Sequence, residues 1–207
     1  MKYIDLEKWP RKEHFEFFHR MDYPQTNICM NIDVTHFLDF VKKNRLSFYY
    51  SMIFASTLVC NRIPEFRCRI RKDGVVLHEI THPSFTDLSK GSELFKYVTV
   101  DMKDDLFEFC RSAKEASEKQ TEHFPASAEN RDDVIYITCL PWVSFTGVSH
   151  TISLDRDDSV PRLSWGKYFE QDGKVLLPYS VQVNHALLDG LQIGKFVQNL
   201  QSYIDQL

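Results

Sequence analysis

The stretch Val181-Gln182-Val183-Asn184-His185-Ala186-Leu187-Leu188-Asp189-Gly190 carries more architectural information than any other in this chain. Valines at 181 and 183 with a polar residue between them give the period-two pattern of a strand, which runs out on a histidine. Asp189-Gly190 stands directly before residues 191–204, whose apolar side chains recur at helical spacing. A strand end opening into a turn is a place where a rigid scaffold presents a side chain to a ligand.

Working outward, residues 163–169 and 175–183 flank Gln171-Asp172-Gly173, and an Asp-Gly pair between two such runs predicts a hairpin. Residues 67–70 and 75–77 do the same around Lys72-Asp73-Gly74. Arg67 to Lys72 is the only basic cluster, and its alternation with Cys68 and Ile70 predicts a strand with a solvated arginine face. Ile28, Met30, Ile32 and Val34 alternate with polar neighbours as a half-buried strand, and residues 95–100 form another. Residues 134–145 read as a strand that Pro141 confines to an edge or a bulge, because proline has no N–H for the ladder. Phe15 and Phe18 share one face of a short helix near the start. A second helix begins at Asp33 or Thr35, and an almost wholly apolar third covers residues 51–61. Residues 103–121 place Leu106, Phe109, Cys110 and Ala113 on one stripe of a fourth. Strands and helices interleave without regular βαβ alternation, so the fold class is α+β or mixed-sheet α/β. No repeat or Pro/Ser-rich linker divides the chain, which predicts one domain over residues 1–207.

Composition narrows the function. Lys and Arg total 25 against 29 Asp and Glu, a net charge of -4, so nothing steers the chain toward nucleic acid or an anionic membrane. No run approaches the roughly 20 apolar residues of a membrane span, and the first residues lack a signal-peptide core. Five scattered cysteines with no C-x-x-C point to reduced thiols and a cytoplasmic setting. Only 7 glycines are present and no phosphate-cradling glycine motif occurs. Aromatic residues reach 14%, with 16 phenylalanines. His78 and His82 have i, i+4 spacing but no third ligand at a recurrent spacing, so no metal is expected. His185 reads in two ways: as a general base, since an imidazole's ordinary pKa near 6.5 suits proton transfer at neutral pH, or as a structural histidine in a turn.

The pattern H-x-x-x-D-G at 185–190 resembles that of the chloramphenicol acetyltransferase family, and other segments agree in order along the whole chain. Trp9-Pro10-Arg11-Lys12-Glu13-His14-Phe15-Glu16-Phe17 resembles the family's opening segment. Leu140-Pro141-Trp142-Val143-Ser144-Phe145-Thr146, Gly166-Lys167-Tyr168 and Leu177-Pro178 resemble its later ones. The H-x-x-x-D-G pattern alone is shared with dihydrolipoyl acyltransferases.

The resemblance implies a two-layer sandwich of a mixed β-sheet with helices packed on it, acting as a cytoplasmic homotrimer with the active site between subunits. It implies direct acetyl transfer from acetyl-CoA to the hydroxyl of chloramphenicol or a similar small acceptor, with His185 as base and no acyl-enzyme. Asp189 is then expected to pair with Arg11, Thr138 to stand where the family has an oxyanion-binding serine, and Ser164 to assist through water. Tyr168, Trp142, Tyr49 and Lys167 fall on coenzyme A positions. Phe18, Phe95, Phe124, Tyr136 and His150 fall on the acceptor pocket. Several of these depart from the family: Phe18 stands for a tyrosine, Tyr136 for an asparagine, His150 for a leucine and Tyr97 for a small residue. His150 also reads as a surface histidine beside residues 155–158. The alternatives are a relative that binds a hydrophobic small molecule without acetylating it, and a dihydrolipoyl-type acyltransferase.

Overall fold

The computed structural model describes residues 1–89, 91–126, 131–151 and 154–207. Its centre is the strand that ends at His185. This strand, β10 (Lys174–Asn184), is preceded by β9 (Phe169–Gln171) across a turn in which Asp172 and Gly173 both have positive φ, 52° and 77°. Two left-handed residues in a two-residue loop give the twist that tight hairpins require, as the Asp-Gly pair predicted. β10 pairs on one edge with β2 (Gln25–Asp33) from Leu176 to Asn184, and on the other with β8 (Arg162–Gly166) and then β9. The sheet continues through β7 (Val134–Leu140) and β5 (His82–Leu88) to β6 (Phe95–Thr99). β7 runs parallel to both of its neighbours and every other pairing is antiparallel, so the sheet is mixed.

Pro141 does not push β7 to an edge. The strand lies inside the sheet and simply stops at Leu140, so the proline falls in the following turn where no ladder bond is needed. β5 escaped the sequence reading, although Ser84, Thr86 and Leu88 alternate with Phe85 and Asp87 over its length.

Alternation gives the sheet two different faces. Ile135, Ile137, Leu163, Trp165, Leu177, Tyr179, Val181 and Val183 are buried in the core. Over them pack α2 (Thr35–Lys43), α3 (Phe48–Asn61), α4 (Leu106–Lys119) and α5 (Gly190–Asp205). α3 is buried almost all round, which accounts for its lack of a polar stripe. The opposite face carries Ser84, Thr86, Tyr136, Thr138, Arg162 and Ser164, and a cavity forms on it.

The chain caps its helices locally. Ser47 starts α3 and Asp105 starts α4, each accepting a backbone N–H. At α2 the cap position is Val34, but the Asp33 carboxylate accepts from the Thr35 amide and hydroxyl. The predicted hairpin at Lys72-Asp73-Gly74 forms β3 (Cys68–Arg71) and β4 (Gly74–Leu77), which join β1 (Lys2–Tyr3) in a separate three-stranded sheet. Arg69 corrects the expectation of a solvated basic face there. It is 1% exposed and donates to the backbone carbonyls of Phe66, Cys68, Asp132 and Val134. Four carbonyl dipoles take the place of water around the charge.

Candidate active site

Two groups of residues stand out, and they do not coincide. The first surrounds His185. β10 ends at Asn184, whose buried amide accepts from the Ala186 N–H and donates to the carbonyls of Arg156 and Asp158. The chain turns through residues 185–188 and enters α5 at Asp189, which forms a capping box with Gln192. α1 (Lys12–His19) lies across this turn. Arg11, the residue before α1, donates to the carbonyls of His185 and Ala186 and makes a 2.8 Å ion pair with Asp189. Burial pushes the Asp189 carboxyl upward, but the hydrogen bonds from Arg11 and the Leu191 amide outweigh it and hold the carboxyl below its ordinary value. Phe18 lies parallel to the His185 ring, 3.9 Å between centroids and 8° between planes. The His185 amide donates to the Pro24 carbonyl at 2.6 Å. Backbone and ring are thus both fixed, while the buried Nδ1 has no partner among the described residues.

The second group lines the cavity, of about 740 Å³, on the polar sheet face. That volume lies within the usual range of small-molecule sites. Thr138 and Ser164 are register partners on the parallel pair β7–β8, so their side chains stand next to each other. The Thr138 and Thr86 hydroxyls are 2.7 Å apart, and Ser164 Oγ is 2.8 Å from His150 Nε2. Burial, with the Arg162 charge acting in the same sense, holds His150 below its ordinary pKa and so favours the neutral ring. Phe95, Tyr97 and Phe124 pack edge to face with centroids 5.4 to 5.8 Å apart. Tyr49 forms part of the wall, its ring against Phe85 and Trp165 and its hydroxyl donating to the Thr86 carbonyl. Burial raises the Cys139 thiol to about 12, so this cavity-lining sulfur is not a thiolate nucleophile at neutral pH.

Of the residues singled out in the sequence, Thr138, Ser164, Tyr49, Trp142, Phe95, Phe124, Tyr136 and His150 meet at the cavity. His185, Arg11, Asp189 and Phe18 meet around the β10 end and contribute nothing to the cavity lining. Tyr168 and Lys167 are exposed and also outside it. The Lys167 amide does bond the Val143 carbonyl at 2.8 Å, next to the 71% exposed Trp142. Gly166 makes this approach possible, since a Cβ there would lie 2.5 Å from the Val143 carbonyl oxygen. The sequence reading missed Ser84, Thr86 and Arg162 as cavity residues, and the alternation of β5 was the signal that could have found the first two. Among the described residues no group of three or more His, Cys, Asp or Glu side chains could hold a metal ion, and no helix is long and apolar enough to cross a membrane.

Comparison with known proteins bears on this arrangement. The profile of the chloramphenicol acetyltransferase family matches residues 1–201. A chloramphenicol acetyltransferase of Klebsiella sp. is 31% identical over 206 residues, 98% of this chain and 93% of that one. Chloramphenicol acetyltransferase 2 of Haemophilus influenzae is 32% identical over 209 residues, 99% and 97% of the two chains. A solved structure of a chloramphenicol acetyltransferase superposes with a TM-score of 0.89 at 24% identity, covering 98% and 99%. That likeness shows a common fold. The class is that of the acyltransferases. Within it, the chain belongs to the chloramphenicol acetyltransferase family.

Proposed function

We propose that the chain is an acetyl-CoA-dependent O-acetyltransferase for chloramphenicol or a similar small hydroxyl acceptor, working as a cytoplasmic homotrimer of single 207-residue domains. The observation that carries this is the separation of the two groups. The cavity of one chain holds the hydroxyls of Thr138, Thr86 and Ser164, yet His185 does not line it. A threefold assembly supplies the missing base, with His185 of one subunit facing the cavity of the next.

His185 Nε2 takes the proton from the acceptor hydroxyl, whose oxygen attacks the thioester carbonyl of acetyl-CoA. The tetrahedral oxyanion needs a donor in place before charge develops. Thr138 and Thr86 share one contact between two hydroxyls, so one hydroxyl hydrogen of the pair is left to meet it. Collapse expels the coenzyme A thiolate, which regains the proton held by His185. In this reading the exposed rings of Trp142 and Tyr168 and the exposed Lys167 ammonium serve to hold the adenine and phosphates of coenzyme A. No acyl-enzyme is needed, in keeping with the raised Cys139 thiol.

The test is release of free thiol from acetyl-CoA in the presence of chloramphenicol, with the oligomeric state followed by sedimentation. His185→Ala is expected to lower turnover by about 10²- to 10⁴-fold, the usual worth of a general base, with an unchanged circular dichroism spectrum. Full turnover in that variant, or in a dilute monomer, overturns the assignment.

A further inference from the structure

One buried charge takes no part in the chemistry described so far. Lys96 lies on β6 and is only 3% exposed, yet it has no ion pair among the described residues. Its ammonium donates instead to the backbone carbonyls of Ser117 and Gln120, at 2.5 and 2.8 Å. Those carbonyls stand at the end of α4, where the last turn leaves acceptors without helical partners and the helix dipole is negative. A methionine would fill the same place without taking a charge out of water. The charge is thus matched to the helix end and is not explained by packing.

Alternation puts the neighbours of Lys96 on the other side of the strand. Phe95 and Tyr97 line the cavity, and Phe124 packs edge to face on both, with centroids 5.8 and 5.4 Å away. The Phe124 ring is 56% exposed, so packing alone does not hold it. Its backbone does. β6 is the last strand of the sheet, and residues 120–123 cover its free edge. The Tyr97 amide donates to the His123 carbonyl at 2.8 Å, and His123 Nδ1 donates to the Phe95 carbonyl at 3.1 Å. The Gln120 side chain donates to the Tyr97 carbonyl. Asp87, the register partner of Lys96 on β5, adds a tie by accepting from the Ser117 hydroxyl at 2.8 Å. One short segment therefore joins the buried ammonium on one side of β6 to the aromatic wall on the other.

We propose that Lys96 is a positioning residue for acceptor binding: by holding the end of α4 against β6 it fixes the course of residues 120–124, and so sets the place of the Phe124 ring in the cavity wall. The ammonium is not part of the cavity lining and touches neither acceptor nor coenzyme A. Without it, the carbonyls of Ser117 and Gln120 lose their buried partner, and the segment has to shift to hydrate them. The consequence for binding rests on reading the cavity as the acceptor site; the hold on residues 120–124 does not.

Lys96→Met removes the charge at nearly constant length. Hydrogen exchange read by mass spectrometry is expected to quicken in residues 117–124 and to stay unchanged in α3 and β10. The KM and the calorimetric Kd for chloramphenicol should rise about three- to tenfold, the worth of one aromatic contact, while kcat and the KM for acetyl-CoA stay within about twofold. In a Phe124→Ala background the same substitution should add nothing to either constant for chloramphenicol, because the two residues act on one contact. A general loss of stability would persist in that background and would raise both KM values. Lys96→Gln, which removes the charge but keeps an N–H donor, decides the matter where the methionine variant does not fold. Unchanged exchange in residues 117–124, an unchanged chloramphenicol KM and Kd, equal rises in the two KM values, or an undiminished effect in Phe124→Ala overturns the proposal. A wild type that binds chloramphenicol but releases no thiol ends the acetyltransferase reading alone, since Kd still decides the role of Lys96. A wild type that does not bind it overturns both.

Discussion

The turn at His185 and the cavity wall at Thr138 both belong to the same mixed sheet, yet they are built on opposite plans. Around His185 almost every group is committed. Arg11 holds two carbonyls and one carboxylate, Asp189 caps α5, and Phe18 covers the ring. At the wall the hydroxyls of Thr138, Thr86 and Ser164 have one side-chain partner each, and the rim is aromatic and exposed. A base has to be held within tenths of an ångström of a proton, and a clamp in which each contact fixes a different part of the turn does that. A binding wall has to meet a ligand, so its hydrogen-bonding capacity is left open. The clamp therefore depends on a few indispensable contacts, whereas the wall can change residue by residue. Of Phe18, Tyr136, Thr138, His150 and Tyr97, positions at which this chain departs from the resemblance, all but Phe18 are wall residues, and Phe18 belongs to the clamp.

Removing the clamp's main tie gives the largest expected effect of the remaining changes. Arg11→Leu leaves the Asp189 carboxylate, 31% exposed, without its cation and frees the carbonyls of His185 and Ala186. The expected loss is about 1–3 kcal/mol of stability, the usual worth of hydrogen bonds to a charged group. Turnover should fall further than stability alone explains, because the imidazole loses its orientation. Urea unfolding and thiol release at a temperature where the variant stays folded check the two effects separately. Wild-type turnover in a folded Arg11→Leu variant would break the contrast between a committed clamp and an open wall.

How far each region could be read in the sequence follows the same division. The clamp is written in local signals: a strand pattern, a histidine and an Asp-Gly step that starts a helix. One distant partner, Arg11, was supplied by the resemblance of the opening segment. The wall is assembled from β5, β7 and β8, which are far apart in sequence, and the parallel pairings that bring Ser84, Thr138 and Ser164 onto one face leave no local mark. β5 has a proline as its second residue, which lacks the ladder N–H and weakens the strand signal, although the alternation beyond it is regular. Arg69 was misjudged for a related reason. Alternation tells which side of a strand a residue occupies, but not that a helix end and a neighbouring strand will enclose that side.

Gly166→Ala is a smaller change that strains the wall where β8 ends. Gly166 closes β8, and its missing Cβ lets the Val143 carbonyl approach and accept the Lys167 amide. An added methyl at 2.5 Å from that oxygen must displace the segment that carries Trp142. The expected result is a KM for acetyl-CoA raised about tenfold or more, with the KM for the acceptor and the unfolding midpoint little changed. If both KM values rise together, Trp142 belongs to the acceptor side of the site and the placement of coenzyme A at this rim is wrong.

The mildest test concerns the neutral ring of His150. Burial and Arg162 hold its pKa below the ordinary value in the folded chain. Below a pH of about 6.5 the unfolded chain takes up a proton there that the folded chain still refuses, so stability falls as the pH is lowered. Above that pH both states are neutral and the residue has no effect on the slope. One proton of difference tilts stability by at most about 1.4 kcal/mol per pH unit. His78 and His82 are shifted in the same direction by burial, so the wild-type curve alone does not isolate His150. Subtracting the curve of His150→Leu does, because the other two histidines remain in both proteins. The difference in unfolding free energy should be flat from about pH 7 upward and should slope below it, with the wild type losing stability faster. A difference that stays flat down to pH 5 would mean that the wall accepts a charged imidazole beside Arg162, and that burial there does not hold the ring neutral.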